Sequence, residues 1–244
     1  MKKLLWLLYQ PYKFFVFMPV LVASTTLISA VIMLLIPVVG ARVAGSLAVV
    51  WARLNSYLTP MLLTVEGRGN IDKNQSYVIV ANHQSHFDIL VLYGWMGIDF
   101  KWVMKMELRK VPVIGIACDR LGHIYIDRSN TEAAIGTIRE ARRKITGGTS
   151  VVFFPEGTRS RTGELLRFKK GAFKMAIDLG IPILPVTITG TRDILPPHTV
   201  NLFPGRAHMR IHPPIDTTHY SADNLGPLME TARQLLDPAQ QLPG

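Results

Sequence analysis

The sequence predicts an α/β fold, a largely parallel mixed sheet flanked by helices, with an N-terminal two-helix membrane anchor. From about Leu62 short β-rich runs alternate with helical segments, the order that parallel strands joined by crossover helices require. Three of those runs end in clusters of imidazole, carboxylate and guanidinium side chains, and ligands of open α/β sheets gather at the carboxyl ends of strands. Ahead of them, no charge occurs between Lys13 and Arg42.

As a straight helix the uncharged stretch 14–41 would be about 42 Å long, more than the roughly 30 Å hydrocarbon core of a bilayer. Pro19 and Pro37 stand near its ends, placed to trim or kink it. The run is too long for a secretory signal, and no small-residue cleavage site follows it. Val43, Leu47, Val50, Leu54 and Leu58 then recur at helical spacing, with Arg42, Ser46, Arg53 and Asn55 between them. One apolar stripe of this kind suits a helix lying in the interface or folding back on the first. Residues 1–60 are therefore expected to form a membrane-anchoring helix pair and 61–244 the α/β domain. Lys2, Lys3 and Lys13 precede the run while Arg42 and Arg53 follow, which leaves a single span and a re-entrant hairpin both open.

In the domain, strands are expected at 62–66, 77–81, 101–105, 123–127, 150–154, 183–189 and 208–212. Helices are expected at 87–94, 131–145, 171–179 and 224–236. For 131–145 the signals are complete: Ser129 and Glu132 as a capping box, Ala134, Ile138, Ala141 and Ile145 as an apolar face, and Gly147-Gly148 after the end. The tail from Asp237 reads as loose, and no internal repeat is present.

Composition narrows the partners. The chain of 244 residues carries 27 Lys+Arg against 17 Asp+Glu, a formal charge of +10, yet is 48% hydrophobic. A nucleic-acid binder normally carries its basic excess on a polar domain, so no nucleic-acid partner is expected. An anionic lipid surface fits better, since each basic residue near it contributes roughly 1 kcal/mol. Cys118 is the only cysteine, so no internal disulfide framework exists. Its neighbours, Val113 to Ala117, are apolar, which suits packing rather than nucleophilic chemistry.

The first charged strand exit is Asn82-His83-Gln84-Ser85-His86-Phe87-Asp88. An imidazole there can take a proton from an alcohol near neutral pH, and a carboxylate five positions on can orient it and stabilise the imidazolium. Ser85 and Asp88 also have the spacing of a plain capping box. The second exit is Gly122-His123-Ile124-Tyr125-Ile126-Asp127-Arg128, and the third Phe154-Pro155-Glu156-Gly157-Thr158-Arg159-Ser160. Guanidinium groups at strand exits suit bidentate phosphate recognition, and Gly157 would let a ligand approach the backbone. Arg161, Arg167, Lys169 and Lys170 extend the positive field, and a helix from Gly171 offers free N–H groups to an anion. The pairs His83/His86 and His208/His212 lack a carboxylate or cysteine set at ligand spacing, so no metal site is expected.

These segments resemble the glycerolipid acyltransferases, in particular the 1-acyl-glycerol-3-phosphate acyltransferases. Asn82, His83 and Asp88 match the first motif of that family. Gly122, Ile126 and Arg128 match the second, with Tyr125 where phenylalanine is frequent. Residues 154–160 match the third in full, and Ile181-Pro182-Ile183-Leu184-Pro185-Val186 the fourth. The resemblance covers roughly 62–215.

It implies direct acyl transfer, with His83 as general base on the free hydroxyl of lysophosphatidic acid and Asp88 as its orienter. The layout is that of a serine-protease triad with the substrate alcohol in place of the serine, and no Gly-x-Ser-x-Gly elbow is present. Glu156, Gly157, Thr158 and Arg159 would seat the glycerol-phosphate head, with Arg128 and Lys105 as second phosphate contacts. Backbone N–H groups near Gly157 are the expected oxyanion stabilisers. Acyl-CoA or acyl carrier protein would be the co-substrate, with no cofactor. Membrane lipids would surround the anchor, on the inner (cytoplasmic) membrane with the site facing the cytoplasm. Two rivals stand beside this reading: acylation of another lysophospholipid or of glycerol 3-phosphate, and a non-catalytic module that binds anionic membranes.

Overall fold

The computed structural model describes residues 2–126, 142–145 and 147–237. Its strands are β1 (Met61–Glu66), β2 (Val78–Ala81), β3 (Phe100–Lys105), β4 (Ile124–Ile126), β5 (Ser150–Phe153), β6 (Ile183–Thr189) and β7 (Gly205–Ile211). They form one mixed sheet in the order β1-β7-β6-β2-β5-β3-β4. Only β6 and β7 pair antiparallel. β2, β5 and β6 lie side by side and in parallel, with Val80 opposite both Phe153 and Pro185. Their carboxyl ends therefore open at one edge, where the site lies.

The helices are α1 (Lys2–Tyr12), α2 (Met18–Gly45), α3 (Leu47–Leu58), α4 (Phe87–Trp95), α5 (Ile114–Arg120), α6 (Gly171–Leu179), α7 (Thr191–Ile194) and α8 (Gly226–Leu236). β2 is apolar at every position because both its faces are covered. Ile79 and Ala81 pack with α3 and α4, Val78 and Val80 with α6 and α8. The strands and the helices α4, α6 and α8 fall where expected, within a few residues. The expected helix 131–145 lies outside the described residues except at its end, where Arg142–Lys144 form a 3₁₀ turn. α5 and α7 are short helices that the periodicity did not separate from their apolar surroundings.

The N-terminal region differs in two details. A π-turn (Lys13–Phe17) joins α1 to α2. The break in α2 falls at Gly40 (φ 80°, ψ 161°), not at a proline. Pro19 sits at the start of α2, directly after the π-turn, and Pro37 keeps helical geometry. The stripe on α3 points the other way from a core stripe. Ala48, Ala52, Asn55 and Ser56 are the buried residues, whereas Val50 and Leu54 are exposed. Small residues let α3 approach α4 closely, and its larger aliphatic groups stay outside.

Tyr9–Gly45 is long and apolar enough to cross a membrane, but α3, with 12 residues, is not. The long helix is nevertheless tied to the domain at both ends. Lys13 Nζ donates to Val200 O (2.9 Å) and Trp6 Nε1 to Asn201 (3.2 Å), while Arg42 donates to Gly147 O (3.2 Å). Between these, Thr25 accepts from Trp51 Nε1 (2.9 Å) and Ser24 bonds Asn55. The outer face of the helix carries Val22, Leu27, Leu34 and Val38, all exposed.

Two buried histidines should weaken the fold in acid. His123 Nδ1 accepts the Trp102 N–H (3.3 Å), so the neutral ring carries its proton on Nε2, 2.8 Å from Tyr93 Oη. Burial, then the Lys101 charge, pushes its pKa down to about 3. Burial, then Arg210, pushes His212 down to about 4. Both pKa values are depressed in the folded state, so the unfolded chain binds more protons below about 6.5 and stability is lost as pH falls from there. Each group contributes a slope of about 1.4 kcal/mol per pH unit in that window. Urea midpoints between pH 6.5 and 4 should therefore fall steeply, and His123→Gln should flatten that limb by about one proton's worth.

Candidate active site

The site grows from the exit of β2. Asn82, fully buried, bridges to β6: its Oδ1 accepts from Ile188 N (2.7 Å) and its Nδ2 donates to Ile188 O (2.8 Å). This amide staple holds the next residue, His83, at a fixed distance from the end of β6.

His83 is then held by its side chain, its backbone and its ring face. Its Nδ1 lies 2.8 Å from Asp88 Oδ2, and its side chain is 14% exposed against 0% for Asp88. The backbone N–H of His83 donates to Glu156 Oε1 (2.8 Å), and its carbonyl accepts from Ser160 N (2.9 Å). The ring stacks on Phe154 with centroids 3.8 Å apart and planes 10° apart, and Phe154 stacks in turn on Trp102. An aromatic face against an imidazolium contributes about 0.5–2 kcal/mol, a modest supplement to the carboxylate.

Asp88 has no accessible surface, yet its carboxylate is fully occupied. Oδ2 also accepts from Gln84 N (2.7 Å) and Ser85 N (2.9 Å), and Oδ1 accepts from Thr191 Oγ1 (2.5 Å). The Ser85–Asp88 capping arrangement is thus present, and the same oxygen serves the imidazole. Thr191 reaches it because Gly190 (φ 81°) turns the chain directly after β6, where a Cβ would lie 2.1 Å from Arg206 O. Only glycine allows that turn.

The third motif divides into scaffold and surface. Glu156 is buried, and Oε2 accepts from Leu166 N (2.9 Å), so both its oxygens serve backbone groups of this chain. Burial raises its pKa against those two hydrogen bonds. Gly157 takes φ 74°, and the Lys169 side chain fills the space a Cβ would need, 2.9 Å away. Its own N–H donates to Phe154 O (3.0 Å). Thr158 is exposed and Arg159 half-buried.

His86 lies near Arg159, His83 and His198, and burial and then the Arg159 charge lower its pKa. Lys105 stands at the end of β3 and pairs with Glu107 (2.7 Å), both exposed. Arg128 lies outside the described residues. Asn82, Phe154 and Ser160 are in the quoted motifs but carried no assigned role. Thr191 was not singled out; the signal was Gly190-Thr191 directly after an apolar strand.

His83, His86, Lys105 and Phe154 line a cavity of about 370 Å³. Its other walls are largely apolar and include Ile28 and Ile32 of α2, Trp51 of α3, Tyr93 of α4 and Ala117 and Cys118 of α5. Cavities that take small ligands run from about 300 to 1,000 Å³. Burial pushes the Cys118 thiol up to about 11, which keeps it protonated and apolar in character. The arrangement joins an imidazole–carboxylate pair to a largely apolar cavity, with cationic groups beside it.

Residues 62–189 match the family model described as Acyltransferase. The chain is 35% identical over 172 residues to 1-acyl-sn-glycerol-3-phosphate acyltransferase BAT2, chloroplastic, of Brassica napus, covering 69% of this chain and 49% of that protein. It is 34% identical over 179 residues to 1-acyl-sn-glycerol-3-phosphate acyltransferase alpha of Mus musculus, covering 72% of this chain and 63% of the mouse protein. The chain thus spans about half to just under two thirds of these relatives. The crystal structure of the 1-acyl-sn-glycerophosphate acyltransferase PlsC from Thermotoga maritima superposes over the full length of both chains, with a TM-score of 0.82 at 26% identity.

Proposed function

The chain belongs to the acyltransferase family, and on that premise we propose that it moves a fatty acyl group from a thioester donor to the sn-2 hydroxyl of 1-acyl-glycerol-3-phosphate. The product is phosphatidic acid. The observation that carries this is the His83–Asp88 pair at the wall of an apolar cavity. His83 Nε2 removes the hydroxyl proton as the oxygen attacks the thioester carbonyl. The tetrahedral intermediate then collapses, the C–S bond breaks, and the imidazolium returns its proton to the departing thiolate. Asp88 keeps the imidazole proton on Nδ1 and stabilises the imidazolium between the two transfers. A thiolate is a good leaving group, so the reaction needs no metal or organic cofactor.

The cavity takes a hydrocarbon chain, and Arg159 takes the phosphate, with Thr158 and Lys105 as further contacts; Arg128, outside the described residues, is assigned to the phosphate by the motif alone. Among the described residues Arg159 has no hydrogen-bond or ion-pair partner of its own, which suits a group waiting for an anion. Glu156 and Gly157 shape the loop that presents it. Acyl-CoA or acyl carrier protein is the donor. Because both ends of the apolar helix are tied to the domain, α2 lies along the membrane surface with its outer face immersed. The enzyme sits on the inner membrane with the site toward the cytoplasm, where such donors are dissolved.

A donor-by-acceptor activity matrix on the purified protein in lipid tests the proposal. Turnover with lysophosphatidic acid is expected; turnover only with glycerol 3-phosphate or another lysolipid would move the acceptor, and none with any acceptor would remove the enzyme. Arg159→Ala should raise the apparent KM for lysophosphatidic acid about 10–100-fold, the range for a lost charged hydrogen bond of about 1.5–3 kcal/mol, with a smaller effect on kcat. An unchanged KM would place the phosphate elsewhere.

A further inference from the structure

We propose that the segment 106–120, which joins β3 to β4, is a second lipid-contacting element, and that it and α2 form the two lips of a portal admitting a single-chain lipid sideways from the leaflet. The identity of the guest rests on the acyltransferase reading above. The contact with lipid rests on the surface itself.

α2 and α5 pack against each other, and the apolar cavity runs between them. Ile28, Ser29 and Ile32 line one side, and Leu108, Ala117 and Cys118 the other. Both lips also expose apolar side chains, on the segment among charged neighbours. On α2, Leu34 is 75% and Val38 79% exposed; on the segment, Leu108 is 43%, Val111 36% and Ile116 54% exposed. Exposed patches of this kind mark a protein or a membrane partner.

Lipid is favoured by two features. The patch continues a helix that carries no charge from Phe14 to Ala41, whereas protein interfaces are set in a polar, hydrogen-bonding rim. Exposed Lys110 and Arg120 stand beside the apolar residues of the segment, where an anionic headgroup layer would meet them. The lip also contains Val113 at φ 64°, a β-branched residue in the left-handed region. Such strain costs on the order of 1–3 kcal/mol and gathers at functional segments.

The test uses the full chain in vesicles of phosphatidylethanolamine and phosphatidylglycerol. A solvent-sensitive fluorophore is attached at Val111→Cys in a Cys118→Ala background, with Glu230→Cys on the opposite face of the sheet as control. Lipids with a nitroxide high on the acyl chain should quench the first probe and not the second; equal quenching of both, or none, overturns lipid contact. Separately, the double variant Val111→Asp, Ile116→Asp should lose about tenfold in turnover of lysolipid held in vesicles. Its turnover of a water-soluble short-chain acceptor should not change. Equal loss on both acceptors, or on neither, overturns the portal. If the unmodified protein turns over neither acceptor, the acyltransferase reading fails, while the quenching result still decides the contact.

Discussion

Replacing His83 by alanine should lower turnover by about 10²–10⁴-fold or more, the range for a lost general base, with little change in the KM for the acceptor. The reason is geometric. Its ring lines the cavity, and its Nδ1 is taken by Asp88, so Nε2 is the nitrogen available to a substrate hydroxyl. The fold should tolerate the change, because the bonds to Glu156 and Ser160 use the His83 backbone, which alanine retains. Steady-state rates and vesicle flotation should be measured together. Lost turnover with unchanged lipid binding separates a catalytic imidazole from a membrane-binding module. Near-normal turnover would end the proposed mechanism.

Asp88→Asn should cost on the order of 10³–10⁴ in kcat, by analogy with removal of the carboxylate from other His–Asp pairs. Asparagine keeps the size but not the charge. It also replaces one acceptor oxygen by an NH₂ in a pocket that presents three N–H donors and a hydroxyl to Asp88. The variant should therefore lose stability as well, and a urea titration is needed beside the kinetics.

Thr191→Val probes the same carboxylate from the far side. It leaves Oδ1 without its hydroxyl donor, a buried loss of about 1–3 kcal/mol, and should move the acid limb of the kcat/KM pH profile. Thr191→Ser should restore that limb. A valine variant with an unchanged profile would reduce Thr191 to packing.

Some of this was open to reading in one dimension. His83 and Asp88 lie five positions apart across a strand exit and a helix start, so their meeting depends on local geometry alone. β2 announces itself by an unbroken apolar run, and α6 by a face of period 3.6. Other features were decided elsewhere in the chain. Glu156 looked like a ligand-binding carboxylate until its two oxygens were found on His83 N and Leu166 N.

By itself the sequence determined the alternation of elements, the unbroken apolar character of the long N-terminal helix and the imidazole–carboxylate pair, because each follows from contacts within one or two turns of chain. Only the tertiary structure decided that Thr191 completes the carboxylate, that Phe154 backs the imidazole and that the aliphatic stripe of α3 faces outward. Each of those unites segments tens of residues apart. They meet because β2, β5 and β6 run parallel in one register, and no local pattern of apolar and polar residues encodes which strand exits will be neighbours.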